Sequence, residues 1–259
     1  MESVLLLVGL IAFWYFVTPL AVWRRLRANA AASRPMELFD PTRHSTTPQI
    51  TAFLQENVAA LTGGEEQFTQ VADLVRREGT TTTRLVLLQH PDGEIASVMV
   101  VSSEAGSSTA AVEFTAHFVN GTVLDVSNVS TVRIFAPTPD HLVYRFPNVN
   151  DPARLHRLFR GTLRSQLPSA VIRRLDLSDP ARFYTTATDA EYVRQVATGY
   201  YRLDERNGVY MPTLKGAYLM SWKLMFPCKH IRSAILHDRA ARLSKEIETS
   251  GRSDSLARR

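Results

Sequence analysis

The sequence predicts an α+β protein: a single N-terminal transmembrane helix, then an antiparallel β-meander with flanking helices, then a C-terminal hairpin-plus-helices segment. Three observations predict this class. Residues 4–23 form an uncharged apolar run, short strands follow one another across tight turns between residues 82 and 146, and helical apolar spacing flanks those strands. The 259 residues suffice for one or two domains with a substantial core.

The N-terminal run is long enough to span a bilayer. Its twenty residues would cover roughly 30 Å as a helix, the thickness of the hydrocarbon core. Aromatic and basic side chains suited to a membrane interface lie in it or directly after it, namely Trp14, Trp23, Arg24, Arg25 and Arg27. The positive-inside rule then predicts a single-pass protein of the inner (plasma) membrane with a cytoplasmic domain. The alternative, a cleaved signal peptide, lacks its basic n-region here.

Composition and periodicity divide the rest of the chain. The expected parts are a juxtamembrane linker (24–47) after the anchor (1–23), an α+β meander domain (48–180), a helix-hairpin-helix segment (181–248) and a disordered tail (249–259). The meander domain opens at Pro48 with an amphipathic helix that Gly63-Gly64 ends.

Turn residues predict the strands. Pro91-Asp92-Gly93 connects strands at 82–89 and 94–101, and Asn120-Gly121 connects strands at 109–119 and 122–126. Further short strands are expected at residues 131–135 and 142–146. Residues 66–75 fit either another strand or a continuation of the preceding helix, and the strand is the preferred interpretation.

Capping residues predict the later helices. Asp151-Pro152 begins one, and the capping box Thr188-x-x-Glu191 begins a short one that ends at Gly199. A hairpin around Asn207-Gly208 then leads to a helix at residues 214–226 and a basic helix at 228–248.

The helix at 214–226 is too short to cross a bilayer, since thirteen residues extend roughly 20 Å. Its side chains suit a helix lying in the headgroup plane, and the expected interfacial residues are Lys215, Tyr218, Trp222 and Lys223. The alternative is a core helix packed under the hairpin.

Charge is unevenly distributed. Residues 46–150 have a net charge of −6, whereas residues 151–259 have a net charge of +9. This split predicts a basic surface for an anionic partner, either lipid headgroups or nucleic acid. Residues 188–226 lack a clear base-reading helix, and an anchor is unusual for a DNA-binding protein, so we expect a lipid bilayer and no nucleic acid.

Two stretches carry a resemblance to other proteins. They are Glu113-Phe-Thr-Ala-His-Phe-Val-Asn-Gly-Thr-Val-Leu and Pro212-Thr-Leu-Lys-Gly-Ala-Tyr-Leu. Their order and spacing resemble a loosely defined group of bacterial proteins with one N-terminal membrane helix and an α+β cytoplasmic domain. The resemblance implies this architecture and no particular activity.

No stretch has a catalytic or cofactor signature. One cysteine excludes a disulfide framework, and Cys228, His230 and His237 would need a distant fourth ligand to hold a metal, so no metal or cofactor is expected. Glu113 and His117 are weak catalytic candidates on one face of a strand. Four residues along a strand separate them by roughly 13 Å, too far for a hydrogen bond.

Two functions fit these observations. The first is a membrane-anchored cytoplasmic accessory or scaffolding protein, a non-catalytic subunit of a membrane complex with a protein partner or a second copy. The alternative is a membrane-associated enzyme or apolar-ligand-binding protein with a site of dispersed polar residues. A pocket lined by Glu113, His117, His141 or Tyr144 would favour the alternative, and a flat apolar patch would favour the first function.

Overall fold

The computed structural model describes residues 2–28, 35–44, 46–64 and 66–257, and its class is α+β, as the sequence predicts. In α1 the side chains of residues 2–5, 7, 8, 11, 12 and 25–28 lie outside the described part, as do those of residues 250–257 in α6. The helices are α1 (Glu2–Ala28), α2 (Pro48–Thr62), α3 (Pro152–Gln166), α4 (Pro180–Ala197), α5 (Leu214–Leu224) and α6 (Cys228–Ala257). The strands are β1 (Glu37–Leu38), β2 (Thr69–Glu78), β3 (Thr81–Gln89), β4 (Ile95–Ser103), β5 (Ser108–His117), β6 (Val123–Ser127), β7 (His141–Arg145), β8 (Tyr201–Asp204) and β9 (Val209–Pro212).

Seven strands form one mostly antiparallel sheet in the order β1–β7. Each strand pairs with its neighbour in sequence, which confirms the predicted meander from β2 to β6. The last pair is parallel, with Val123 of β6 opposite His141 of β7. A parallel pair needs a crossover of about a dozen residues or more, and residues 128–140 provide it. The strand expected at residues 131–135 is therefore absent from the described fold, because these residues belong to the crossover.

The start of α4 also differs from the prediction. The helix begins at Pro180, because the Asp179 carboxylate accepts a hydrogen bond from the Arg182 N–H at 3.0 Å and so caps the first turn. The expected capping box at Thr188 consequently lies inside the helix. The Asp179-Pro180 start has the same sequence as the correctly predicted start of α3, Asp151-Pro152.

The terminal segments contain more regular structure than expected. In the expected linker, β1 pairs with β2, with Glu37 opposite Val75. At the other end, α6 continues to Ala257, whereas disorder was expected from residue 249.

The chain divides into two compact units. Unit 1 comprises residues 1–33, 131–138 and 186–235, and unit 2 comprises residues 34–130, 139–185 and 236–259. In unit 2 the sheet has a first face, covered by α2 and α3, and a second face on the opposite side. Alternate residues of each strand point to opposite faces. The first face holds the largest apolar core, which includes Val98, Val112, Phe114, Leu124 and Val126.

Candidate membrane-facing surface and candidate polar site

Most of the described large apolar side chains of α1 face outward. Leu6 is 76% exposed, and Phe13 and Trp14 are each 63% exposed. Arg24 is also exposed, while the side chains of Arg25 and Arg27 lie outside the described part. Among the residues that the structure describes, no helix is both long and apolar enough to cross a membrane.

Pro19 is buried in α1 at the point where α5 packs against this helix. Proline has no N–H, so the carbonyl of Tyr15, four residues earlier, loses its usual intrahelical partner. The Trp222 indole N–H donates to that carbonyl oxygen at 3.3 Å, and the Tyr218 hydroxyl donates to the Phe16 carbonyl oxygen at 2.9 Å. Two side chains of α5 thus bond to the α1 backbone beside the proline, and we call this pair of hydrogen bonds the α1–α5 clamp.

The first turn of α5 is held by the β8–β9 hairpin. The Thr213 hydroxyl accepts a hydrogen bond from the Gly216 N–H at 2.9 Å, which caps the helix, and it donates to the Gly199 carbonyl at 2.7 Å. A Cβ atom on Gly216 would lie 2.0 Å from the Tyr200 carbonyl oxygen, so only glycine fits here. Trp23 of α1 donates from its indole nitrogen to the Pro212 carbonyl at 3.2 Å.

Lys223 points into unit 1, so the expectation of an outward-facing interfacial lysine is wrong. The residue is 8% exposed, and its Nζ donates to the carbonyls of Ile134 at 2.7 Å and Phe135 at 3.0 Å. Burial, together with the positive charges of Arg232 and Arg133, lowers the pKa of Lys223 to about 8. Its role in the fold is to pair two backbone carbonyls.

Gln195 performs the same task one residue further along the crossover. Its side-chain oxygen accepts from the Ala136 N–H at 2.9 Å, and its side-chain nitrogen donates to the Ala136 carbonyl at 3.2 Å. The backbone polar groups of residues 134–136 therefore form hydrogen bonds with side chains, whereas the sequence predicted that a neighbouring strand would provide these bonds. No local sequence pattern marks either Lys223 or Gln195 for this role.

The other three expected interfacial residues of α5 have i, i+3, i+7 spacing and share one side of the helix. Lys215 is exposed, Tyr218 is half-buried and Trp222 is 38% exposed. Ala217 and Met220 are buried within unit 1. One face of α5 is therefore a core face, and the opposite face is exposed.

In unit 2, the second face of the sheet brings together polar residues from β5, β6 and β7. The Thr115 hydroxyl donates to one Asp125 carboxylate oxygen at 2.7 Å, and His141 Nε2 lies 2.5 Å from the other. The side chains of Asp125 and His141 are 15% and 11% exposed, so neither is sealed from solvent. Burial raises the pKa of Asp125, but the hydrogen bonds and charge of His141 and the bond from Thr115 outweigh it and lower that pKa overall.

Glu113 lies next to this group on the second face. It is opposite Ser127 in the sheet register, which makes it a diagonal neighbour of Asp125. Burial, and secondly the negative charge of Asp125, raise the pKa of Glu113 to about 8. At neutral pH a protonated Glu113 therefore lies beside an ionised Asp125, an acid next to a hydrogen-bonded carboxylate–imidazole pair. We call Glu113, Thr115, Asp125 and His141 the polar site.

The remaining candidates are placed differently. His117 is on the same face as Glu113, further along β5, where its ring contacts Phe183 with centroids 6.0 Å apart. Tyr144 is on β7 between two second-face positions and packs against the first-face core. The structure thus brings Glu113 and His141 into one group, with His117 at its margin and Tyr144 on the opposite face.

A second polar group lies in the core of the first face. The His156 ring is 1% exposed and lies between the carboxylates of Glu66 and Glu94, with its Nε2 2.6 Å from Glu94. Arg160 bonds to Glu94 at 3.2 Å and to Asp92 at 2.8 Å. Phe68, Phe114 and Phe159 surround the His156 ring. The two ring nitrogens of His156 thus each contact a carboxylate, and the ring is enclosed by aromatic side chains of the core.

No group of three or more His, Cys, Asp or Glu side chains in the described part of the chain is placed to hold a metal ion. Cys228 and His230 begin α6, and His237 follows roughly 10 Å further along the same helix.

Comparison with protein-family models, curated proteins and solved structures finds no match to this chain. The resemblance to bacterial membrane-anchored proteins therefore stays a prediction.

Proposed function

We propose that this protein is a membrane-anchored cytoplasmic accessory or scaffolding protein, that unit 1 attaches it to the bilayer, and that α1 is its single transmembrane segment. The distribution of exposed large apolar side chains carries the proposal. All but three of those described belong to unit 1, and the three exceptions are Leu38, Val119 and Val171. Apolar surface concentrated in one region is typical of a membrane-binding or protein-binding surface.

Charge supports the cytoplasmic orientation. The uncharged run at residues 4–23 is preceded only by Glu2 and is followed directly by Arg24, Arg25 and Arg27. Basic residues at the end of a membrane helix favour the cytoplasmic side.

Membrane attachment is tested by flotation of the full chain with lipid vesicles, followed by extraction at alkaline pH. A chain that floats and resists extraction supports an anchor, and a chain that stays unbound contradicts it. Orientation is tested in a Cys228→Ser chain with Glu104→Cys in the exposed turn after β4. We expect labelling only after the membrane is permeabilised, and labelling in intact cells would reverse the orientation.

The accessory role predicts a lasting protein complex. We expect the detergent-purified full chain to have a protein mass above that of one 29.0 kDa chain by light scattering, either with a partner or as a homo-oligomer. A strictly monomeric chain at the concentration found in its membrane would contradict this role.

A specific observation also favours the alternative function, an enzyme or ligand-binding protein. The polar site combines a protonated carboxyl at neutral pH, an ionised carboxylate and an imidazole, the groups that acid–base chemistry requires. The sheet brings these three side chains, Glu113, Asp125 and His141, together from the successive strands β5, β6 and β7.

A hydrophobic carbodiimide tests this alternative, because it modifies protonated carboxyl groups that it can reach. At pH 7 we expect modification of Glu113 and little modification of Glu56, an exposed carboxylate on α2. Modification should disappear in Glu113→Gln and should fall as the pH rises above 8. An unmodified Glu113 would mean that the group is ionised or sealed from solvent at pH 7, and either state would contradict its assignment as the acid of this site.

A further inference from the structure

Exposed apolar residues continue from α5 into the start of α6. Five of them are Trp222 at 38% exposure, Leu224 at 48%, Phe226 at 74%, Ile231 at 55% and Ile235 at 46%. We call these five residues the α5–α6 ridge. Ile231 and Ile235 are four residues apart on one helix and therefore share a face. All five belong to unit 1.

All formally charged residues of the chain segment that contains the ridge are basic. No acidic residue occurs between Glu205 and Asp238, and this interval contains Arg206, Lys215, Lys223, Lys229 and Arg232. Lys215, Lys229 and Arg232 are exposed, so their charges face outward with the ridge residues. Exposed apolar and basic side chains, in an interval of sequence without acidic residues, complement the apolar and anionic layers of a lipid surface.

The ridge is connected to the proposed anchor. Trp222 belongs to the ridge and also donates to the Tyr15 carbonyl of α1. Tyr218, one turn earlier on α5, donates to Phe16. The α1–α5 clamp therefore fixes the start of the ridge to the helix that we propose inserts in the bilayer.

We propose that the α5–α6 ridge lies in the headgroup region of an anionic membrane, as a second contact in addition to the α1 anchor. This inference rests on the proposed membrane attachment. Ridge side chains would enter the boundary of the acyl chains by roughly 5–10 Å, and Lys229 and Arg232 would meet lipid phosphates. A protein partner would need acidic side chains to match the same cations, whereas an anionic bilayer supplies the charge and the apolar layer together.

Spin-label accessibility in the full chain tests the ridge directly. In a Cys228→Ser background, a nitroxide is attached at Phe226→Cys, Ile231→Cys or Ile235→Cys, and at Glu56→Cys as a control in unit 2. The labelled chains are reconstituted in vesicles that contain phosphatidylglycerol and phosphatidylcholine. Oxygen partitions into lipid and a nickel chelate stays in water, so the ratio of their collision rates reports depth.

We expect this ratio to be several-fold higher at the three ridge positions than at Glu56→Cys. The double variant Lys229→Glu/Arg232→Glu should bring the ridge labels toward water, as should vesicles of phosphatidylcholine alone. Apart from Cys228, the substituted side chains are all exposed. The single variant Lys229→Glu keeps the Arg232 charge that acts on the buried Lys223, and it should shift the ridge labels in the same direction by a smaller amount.

The outcomes separate the two proposals. Water-exposed ridge labels on a chain that still floats with vesicles would overturn the ridge contact and leave the anchor in place. A chain that fails to float would overturn both proposals. Spectral broadening that disappears on dilution with unlabelled chain would show a second copy on the ridge, which also overturns a lipid contact.

Discussion

In unit 2 most of the large apolar side chains lie inside the fold, whereas in unit 1 many of them face outward. Phe114 and Leu124 of unit 2 are completely buried, while Phe13 and Phe226 of unit 1 are 63% and 74% exposed. The two units also use charge differently. Buried ionisable groups of unit 2 pair with each other, as His156 does with two carboxylates, whereas the buried Lys223 of unit 1 pairs with backbone carbonyls. The difference is the one expected if unit 1 contacts a surface with an apolar layer, as we propose, and unit 2 is surrounded by water.

Deletion of residues 1–23 should produce the largest difference in stability between the two units. Unit 2 has its own core and should stay folded, but α5 loses the α1–α5 clamp and the hairpin loses Trp23. Hydrogen exchange measured by mass spectrometry should show amides of α5 and β9 exchanging at least about tenfold faster, with β3–β5 unchanged. Equal loss of protection in β3–β5 would show that unit 2 depends on α1 for folding.

Substitutions at two adjacent residues of β5 show how much each face of the unit 2 sheet contributes to stability. Phe114→Ala should destabilise unit 2 by about 3–5 kcal/mol, because it empties a fully buried aromatic position. Glu113→Gln, one residue earlier, should cost less than about 1 kcal/mol, because it keeps the size of a side chain that is already neutral below pH 8. Denaturant unfolding measures both. A larger cost for Glu113→Gln would mean that the second face is as tightly packed as the first.

Glycine 216 provides the corresponding test in unit 1. Gly216→Ala should destabilise unit 1 by about 1–3 kcal/mol, because the new methyl group meets the Tyr200 carbonyl. The matched control is Gly9→Ala in α1, where a Cβ would meet no atom within 4 Å. Thermal unfolding of the full chain in detergent should show the loss only for Gly216→Ala. No difference between the two variants would contradict the tight docking of α5.

Glu113 should make the stability of unit 2 depend on pH. Its folded pKa of about 8 exceeds the ordinary value of 4.5, so the folded state holds a proton that the unfolded state releases. Stability from this group is complete below pH 4.5 and is lost as the pH rises through 8, by about 1–2 kcal/mol after allowance for solvent access.

Unfolding midpoints measured from pH 5 to pH 9 test this dependence. They should fall with rising pH in the parent chain and fall less in Glu113→Gln, with Glu56→Gln behaving like the parent. A profile that Glu113→Gln leaves unchanged would show that Glu113 is ionised at neutral pH.

Trp222→Phe should have a small effect on unit 1. It keeps an aromatic ring but removes the N–H donor to the Tyr15 carbonyl, which Pro19 has left without its helical partner. The expected cost to unit 1 is about 0.5–1.5 kcal/mol, measured as faster hydrogen exchange at α5. Trp14→Phe is the control, since Trp14 is largely exposed. Equal effects of the two substitutions would contradict the clamp.

Local sequence signals predicted much of this fold. Turn residues such as Asn120-Gly121 specified the hairpins, and Asp151-Pro152 specified the start of a helix. Sequence patterns also predict part of the polar site. The short turn at Asn120-Gly121 places Asp125 opposite Thr115. Alternation along β5 then puts Glu113 on the same face. Asp125 was missed because it lies alone in an apolar strand.

The remaining features depend on contacts between residues distant in sequence. The clamp hydrogen bonds join residues 202 and 207 positions apart, and the parallel β6–β7 pair depends on where residues 128–140 travel. Lys223 was misjudged for the same reason. A lysine on a short apolar helix has the same local pattern whether it reaches solvent or pairs with the carbonyl of Ile134, 89 residues away.

The most direct test of the division between the units is cross-linking to lipid. The full chain is reconstituted in vesicles that contain a photoactivatable phospholipid, and the modified peptides are identified by mass spectrometry. We expect adducts in α1, on α5 and in the first two turns of α6, and none in strands β3–β5. Adducts concentrated in the strands of unit 2, with α1 and α5 unmodified, would contradict this division.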